Sequence, residues 1–148
     1  MKKWTIAAAA AAIVCSGPAS AHEFACEKTI DGSVVRVVDR YPSTLQFRIV
    51  VTNTHPTDAS VALSFRDEFL TALGLKFPPT PFAVGVGQSI EFGTSVTVRT
   101  QAECAKLAGA QACTAQSTNA FQVIFDTGVA ECSARLVCMP DDRMGGEN

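Results

Sequence analysis

The stretch TLQFRIVVTN, residues 44–53, does most to limit what this chain can become. Leu45, Phe47, Ile49 and Val51 fall on one side of an extended chain and Gln46, Arg48 and Thr52 on the other, with only Val50 breaking the alternation. A period of two describes a strand with one buried and one wet face. Such a strand is stable only in a sheet whose apolar side is covered by a second layer. SVVRVV (33–38) is a short β-branched run, and the rhythm recurs in VALSF (61–65) with Val61, Leu63 and Phe65 expected inward, and in IEFGTSVTVRT (90–100) through Ile90, Phe92, Thr94, Val96 and Val98. It returns in NAFQVIFD (119–126), with Phe121, Val123 and Phe125 on one face, and in VAECSARLVC (129–138), with Cys132, Ala134, Leu136 and Cys138 on one side.

Turn formers separate these runs: DRYPS, THPTDAS and the glycine turn VGVGQS. Pro78, Pro79 and Pro81 forbid regular structure through KFPPTPF and make it an extended crossing. RDEFLTALGL places Phe69, Leu70 and Leu73 at helical spacing before the stop Gly74, and QAECAKLAGA favours a helix because no β-branched residue interrupts it. Short alternating strands, about seven of them, predict an all-β protein, an antiparallel β-sandwich with one short helical insertion near residues 101–109. No internal repeat and no linker divides residues 22–138, so one domain is expected, and the tail 139–148 has too little to bury to be ordered.

The first 21 residues, MKKWTIAAAAAAIVCSGPASA, run from two lysines through an apolar stretch to small residues, the order of a secretory signal peptide. The apolar stretch is shorter than the roughly 20 residues of a spanning helix. Val14 before Cys15 disfavours lipoprotein processing, and cleavage before His22 is expected. Without Lys2 and Lys3 the basic residues fall from 12 to 10 against 14 acidic ones, a net charge of −4. These charges are scattered without a basic stripe, so nucleic acid is not an expected partner. No second apolar segment reaches spanning length, and the mature chain is expected to have no transmembrane segment.

Five cysteines follow the leader: Cys26, Cys104, Cys113, Cys132 and Cys138. In an exported chain they are read first as disulfides, and the absence of a CxxC pair argues against zinc or redox roles. An odd count leaves one unpaired, and sequence alone does not choose among the pairings. The favoured set joins Cys104 to Cys113, which would pin the second helix to its following loop. It also joins Cys26 on the first strand to Cys132 on the last, leaving Cys138 as the free thiol. Asp67 with Glu68 and Asp141 with Asp142 are adjacent carboxylates, which face opposite ways on a strand and are read as solvated charges. No GxSxG, P-loop or calcium loop occurs, so no catalytic residues are assigned and no enzyme is expected.

RIVVTNTHPTDASVALSFRD (48–67) resembles the signature of the Ig-like conserved-repeat domains of bacterial envelope and surface proteins. VGVGQSIEFGTSVTV (84–98) resembles their glycine turn and following strand, and STNAFQV (117–123) their TNTA segment. The resemblance spans Thr44 to Val137. It implies an Ig-like sandwich without a cofactor, periplasmic or on the cell surface, acting as a binding, adhesion or envelope-assembly module toward a protein or envelope component not named by the sequence. A single copy points to binding rather than spacing. Within it Asn53 is expected to stabilise a turn.

An alternative rests on the two histidines. A processed amino-terminal His22 would offer its α-amino and ring nitrogens, and His55 a third, a set suited to copper. The arrangement resembles the histidine brace of periplasmic copper carriers. It requires that the loop of His55 and the start of the first strand share one end of the fold.

Overall fold

The computed structural model describes residues 24–108 and 116–141. The expected signal peptide, His22, Cys113 and the tail from 142 lie outside the described residues. Eight strands and two short helices occur in the order β1 (Phe24–Ile30), β2 (Val35–Val38), β3 (Ser43–Asn53), β4 (Ser60–Arg66), α1 (Glu68–Ala72), β5 (Phe82–Val84), β6 (Ser89–Val98), α2 (Gln101–Leu107), β7 (Gln116–Phe125) and β8 (Val129–Cys138). The protein is all-β, as the alternation predicts. One sheet has the order β1-β3-β6 and the other β2-β8-β7-β4-β5.

β3 is the organising strand. Leu45, Ile49 and Val51 are fully buried and Phe47 nearly so, while Gln46 and Arg48 are exposed. It pairs antiparallel with β1 on one side and β6 on the other. The inward residues of both sheets merge into one apolar core. Phe24 of β1 stacks on Phe125 of β7 at 3.9 Å, and Phe92 of β6 meets Phe65, Phe77 and Phe121 within 6 Å. Edge-to-face and offset arrangements of this kind add to the value of burial alone.

Three expectations are corrected. The sheets are not purely antiparallel, because β2 runs parallel to β8; the turn at Asp31 and Gly32, both with positive φ, precedes the passage of the chain from the three-stranded sheet to the β8 edge of the other. In β4 it is Ser60 and Ala62 that are buried, while Leu63 is 49% exposed. A bulge between Ala62 and Ser64 then restores Phe65 to the core side, since one extra residue on a strand switches the face of all that follow. The second helix ends at Leu107, with Thr100 capping its first turn through Glu103 N and Ala108 closing it. The first helix matches its expected place, with Gly74 in the left-handed region (φ 92°) just past its end.

At the end of β3 the chain turns on Asn53. Its fully buried carboxamide donates to Asp58 O and Val84 O at 3.0 Å each and accepts His55 N at 2.9 Å. The expected turn-stabilising role of Asn53 is thus made by three bonds to the backbone. Gly87, at φ 68°, lets the VGVGQS turn approach Asn53 and donate to its carbonyl at 2.9 Å.

Candidate functional site

The two sheets enclose a charge. On β1 the inward positions are Phe24, Cys26, Lys28 and Ile30, and the lysine side chain is completely removed from solvent. Its partner is Asp67, the residue between β4 and α1, whose side chain is equally buried. Lys28 Nζ donates to Asp67 Oδ2. Asp67 Oδ1 caps α1 by accepting Leu70 N at 2.9 Å and receives Asn119 Nδ2 of β7 at 3.4 Å. One carboxylate therefore ties together the first strand, the first helix and the seventh strand. Asn119 Oδ1 is buried without a hydrogen-bond partner, an expensive condition for a carboxamide. Burial pushes the Lys28 ammonium below the usual lysine range, and the hydrogen bond and charge of Asp67 oppose that shift.

The reading of Asp67 with Glu68 as a pair of solvated charges is corrected: Glu68 is exposed on the surface beside Arg66, while Asp67 points inward because it caps a helix that packs on the core. The Arg66 guanidinium holds the Glu68 carboxyl below its ordinary value. Outside the buried cluster an open polar depression of about 330 Å³ is lined by Arg66, Glu68, Asn119, Ala120, Gln122 and Glu131. Asn119 thus belongs both to the buried cluster and to the lining of a solvent-open hollow. Sequence reasoning missed this cluster, although one signal was there: Lys28 stands at an inward phase between Cys26 and Ile30, where an unpaired charge is not tolerated.

The disulfides fall partly as expected. Cys26 is bonded to Cys132, joining β1 to β8 across the two sheets. Cys104 is bonded to Cys138, so the expected Cys104–Cys113 pairing and the free Cys138 are both corrected. The cause is tertiary: α2 packs against the end of β8, where Cys138 is an inward residue two positions beyond Leu136.

His55 lies in the loop after β3. Its Nδ1 accepts Asp58 N at 2.9 Å and Thr57 N at 3.2 Å, and Asp58 Oδ2 stands 3.8 Å away. A metal would therefore have to take this ring through Nε2. Among the described residues no three His, Cys, Asp or Glu side chains gather as a metal site.

The two outer faces differ. That of the three-stranded sheet carries polar cross-strand pairs: Arg48 with Glu91 in a two-point contact at 2.7 and 2.9 Å, Thr44 with Thr97, and Thr52 with Ser89. On the five-stranded sheet Leu63, Ile124 and Val129 are exposed side by side, Ile124 being the cross-strand partner of both Ser64 and Val129. Val35 and Val37 extend apolar surface along its β2 edge. Among the described residues no helix is long and apolar enough to cross a membrane.

No family model matches the chain, and no curated protein matches it by sequence. One solved structure does, the Pseudomonas fluorescens alkylpurine DNA glycosylase AlkC bound to DNA containing an abasic site analog, at 11% identity and a TM-score of 0.33. The match covers 78% of this chain and spans 30% of the length of that one, and a likeness this weak supports no argument about fold or activity.

Proposed function

We propose that the protein is an exported, non-enzymatic Ig-like β-sandwich of a bacterial envelope or surface, working as a binding, adhesion or envelope-assembly module through the outer face of its five-stranded sheet. The observation that carries this reading is the asymmetry of the two outer faces. One is dressed in polar pairs, and the other leaves Leu63, Ile124 and Val129 in contact with water. Contiguous exposed apolar side chains rimmed by polar ones are the usual mark of a contact surface. The leader and two disulfides suit an oxidising compartment, and the VTNT-type resemblance suits a surface module. The test is co-sedimentation of the purified, processed protein with envelope fragments of the source cells. The protein is expected in the pellet, and the double variant Leu63→Lys, Ile124→Lys is expected to lose retention by about tenfold or more with its circular dichroism unchanged. No retention, or equal retention of the variant, overturns the proposal.

A second reading, a copper-binding protein using His22 and His55, is favoured by one observation. The β1–β3 ladder ends with Phe24 opposite Asn53, so the end of β1 that leads back to His22 lies beside the loop of His55. Cupric titration of the processed chain followed by electron paramagnetic resonance decides it: one ion per chain with nitrogen coupling that disappears in His55→Ala supports copper, and binding indifferent to that substitution rejects it.

A further inference from the structure

In the five-stranded sheet the edge strands β2 and β5 are four and three residues long, and short edges are one way in which sheets resist pairing with other chains. In the three-stranded sheet β6 is also an edge, but it runs for ten residues, SIEFGTSVTV, without lysine or proline. Its register against β3 is unbroken from Ser43 opposite Val98 to Thr52 opposite Ser89, so no bulge twists it away.

The direction of its main-chain groups follows from the ladder. Just before β6, Gly87 N donates to Asn53 O at 2.9 Å and Asn53 N donates to Gln88 O at 3.0 Å. Bonded positions in an antiparallel ladder recur every second residue, so Ile90, Phe92, Thr94 and Val96 turn their N–H and C=O groups to β3. Those of Glu91, Gly93, Ser95 and Thr97 point away from it, and all four residues are exposed. Among the described residues no main-chain hydrogen bond beyond the β3 ladder reaches these four. The next such N–H, of Arg99, is taken by Glu103 Oε2 at 2.7 Å, and the open stretch ends there.

We propose that β6 pairs antiparallel with β6 of a second copy of this chain about a two-fold axis at Ser95, joining two three-stranded sheets into one of six strands. Charge selects this occupant and this register. Glu91 is the one charged residue of the strand, and Arg99 follows on the same outward alternation. Setting Ser95 against Ser95 places Gly93 opposite Thr97 and Glu91 opposite Arg99, twice over by symmetry. Opposite charges at facing positions favour a pairing, and no like charges meet. Arg48 already holds Glu91 on one side, whereas the Arg99 guanidinium has no partner among the described residues. On the inner side the same register lays Phe92 beside Val98 and Thr94 beside Val96 of the other copy. Val96, which one chain leaves partly exposed, is then covered. An axis through the sheet keeps both copies the same way up, so both five-stranded sheets show their outer faces on one side. A surface that holds one copy then holds both, with the gain of linked sites; this consequence rests on the function proposed above, and the pairing does not.

Strand pairing alone buries less than a standard interface, so a weak dimer is expected. Sedimentation equilibrium of the processed, disulfide-bonded chain at rising concentration should show monomer and dimer with no larger species. Ser95→Pro removes an outward N–H at a sheet edge, where proline is tolerated, and should abolish the dimer. Arg99→Glu sets like charges face to face and should weaken dimerisation about tenfold or more. A wild-type chain still monomeric at on the order of 1 mM overturns the proposal. So does a dimer that either variant leaves unchanged, or one that survives denaturation without reductant and is therefore covalent. Envelope retention plays no part in these outcomes, so failure here and failure of the proposed function are distinguishable. Should Ser95→Pro fail to fold, the surface variant Arg99→Glu still decides.

Discussion

Tyr41 is the one tyrosine of the chain, which makes it a clean reporter of how single side chains are held. Its hydroxyl donates toward Met139 O at 3.0 Å and Val38 O at 3.3 Å, fastening the end of β2 to the exit from β8. Burial, then the negative charges of Asp141 and Asp39, raise its pKa above the ordinary 10.0. The fold therefore prefers the neutral phenol. Its contribution to stability is complete below the unfolded value of 10.0 and is lost as pH rises from there through the folded pKa. An alkaline titration followed by tyrosinate absorbance should give a midpoint above 10.0 in the native protein that falls back in denaturant. A native midpoint at or below the denatured one would contradict the burial seen here.

At the scale of elements, two disulfides close loops of different length. Cys104–Cys138 spans 34 positions and Cys26–Cys132 spans 106. On the chain-entropy account they contribute about 4 and about 5 kcal/mol. Urea unfolding of the alanine double variants is expected to show both losses, with Cys26→Ala, Cys132→Ala the larger because it opens the longer loop. The bulge in β4 belongs to this scale too, because one extra residue decides that Leu63 faces water and that Phe65 returns to the aromatic cluster.

For the whole molecule, the closed apolar interior accounts for the fold and the uncovered outer face for the proposed use. Arg48–Glu91 and its neighbouring hydroxyl pairs are solvent-exposed, and pairs of this kind contribute little to stability. Their consequence is instead to keep one face soluble. Lysines at positions 63 and 124 should leave the unfolding midpoint nearly unchanged, since both side chains already meet water, while removing the envelope retention predicted above. A large drop in stability would mean that these residues belong to the core rather than to a contact surface.

Alternation along β3, β6, β7 and β8 was enough to predict which side chains are buried there, because a period of two is a local property of extended chain and needs no knowledge of partners. The two helices, the crossing at the prolines and the turn at Asn53 were legible for the same reason. What the linear order left undecided were relations between distant elements. Cys138 pairs with Cys104 because α2 settles against the end of β8, and β2 joins the far sheet in parallel because a turn redirects it. The Lys28–Asp67–Asn119 cluster was out of reach for the strongest version of that reason. Its three members stand on a strand of one sheet, a helix cap and a strand of the other. Their contact exists only once the tertiary structure has brought these elements together.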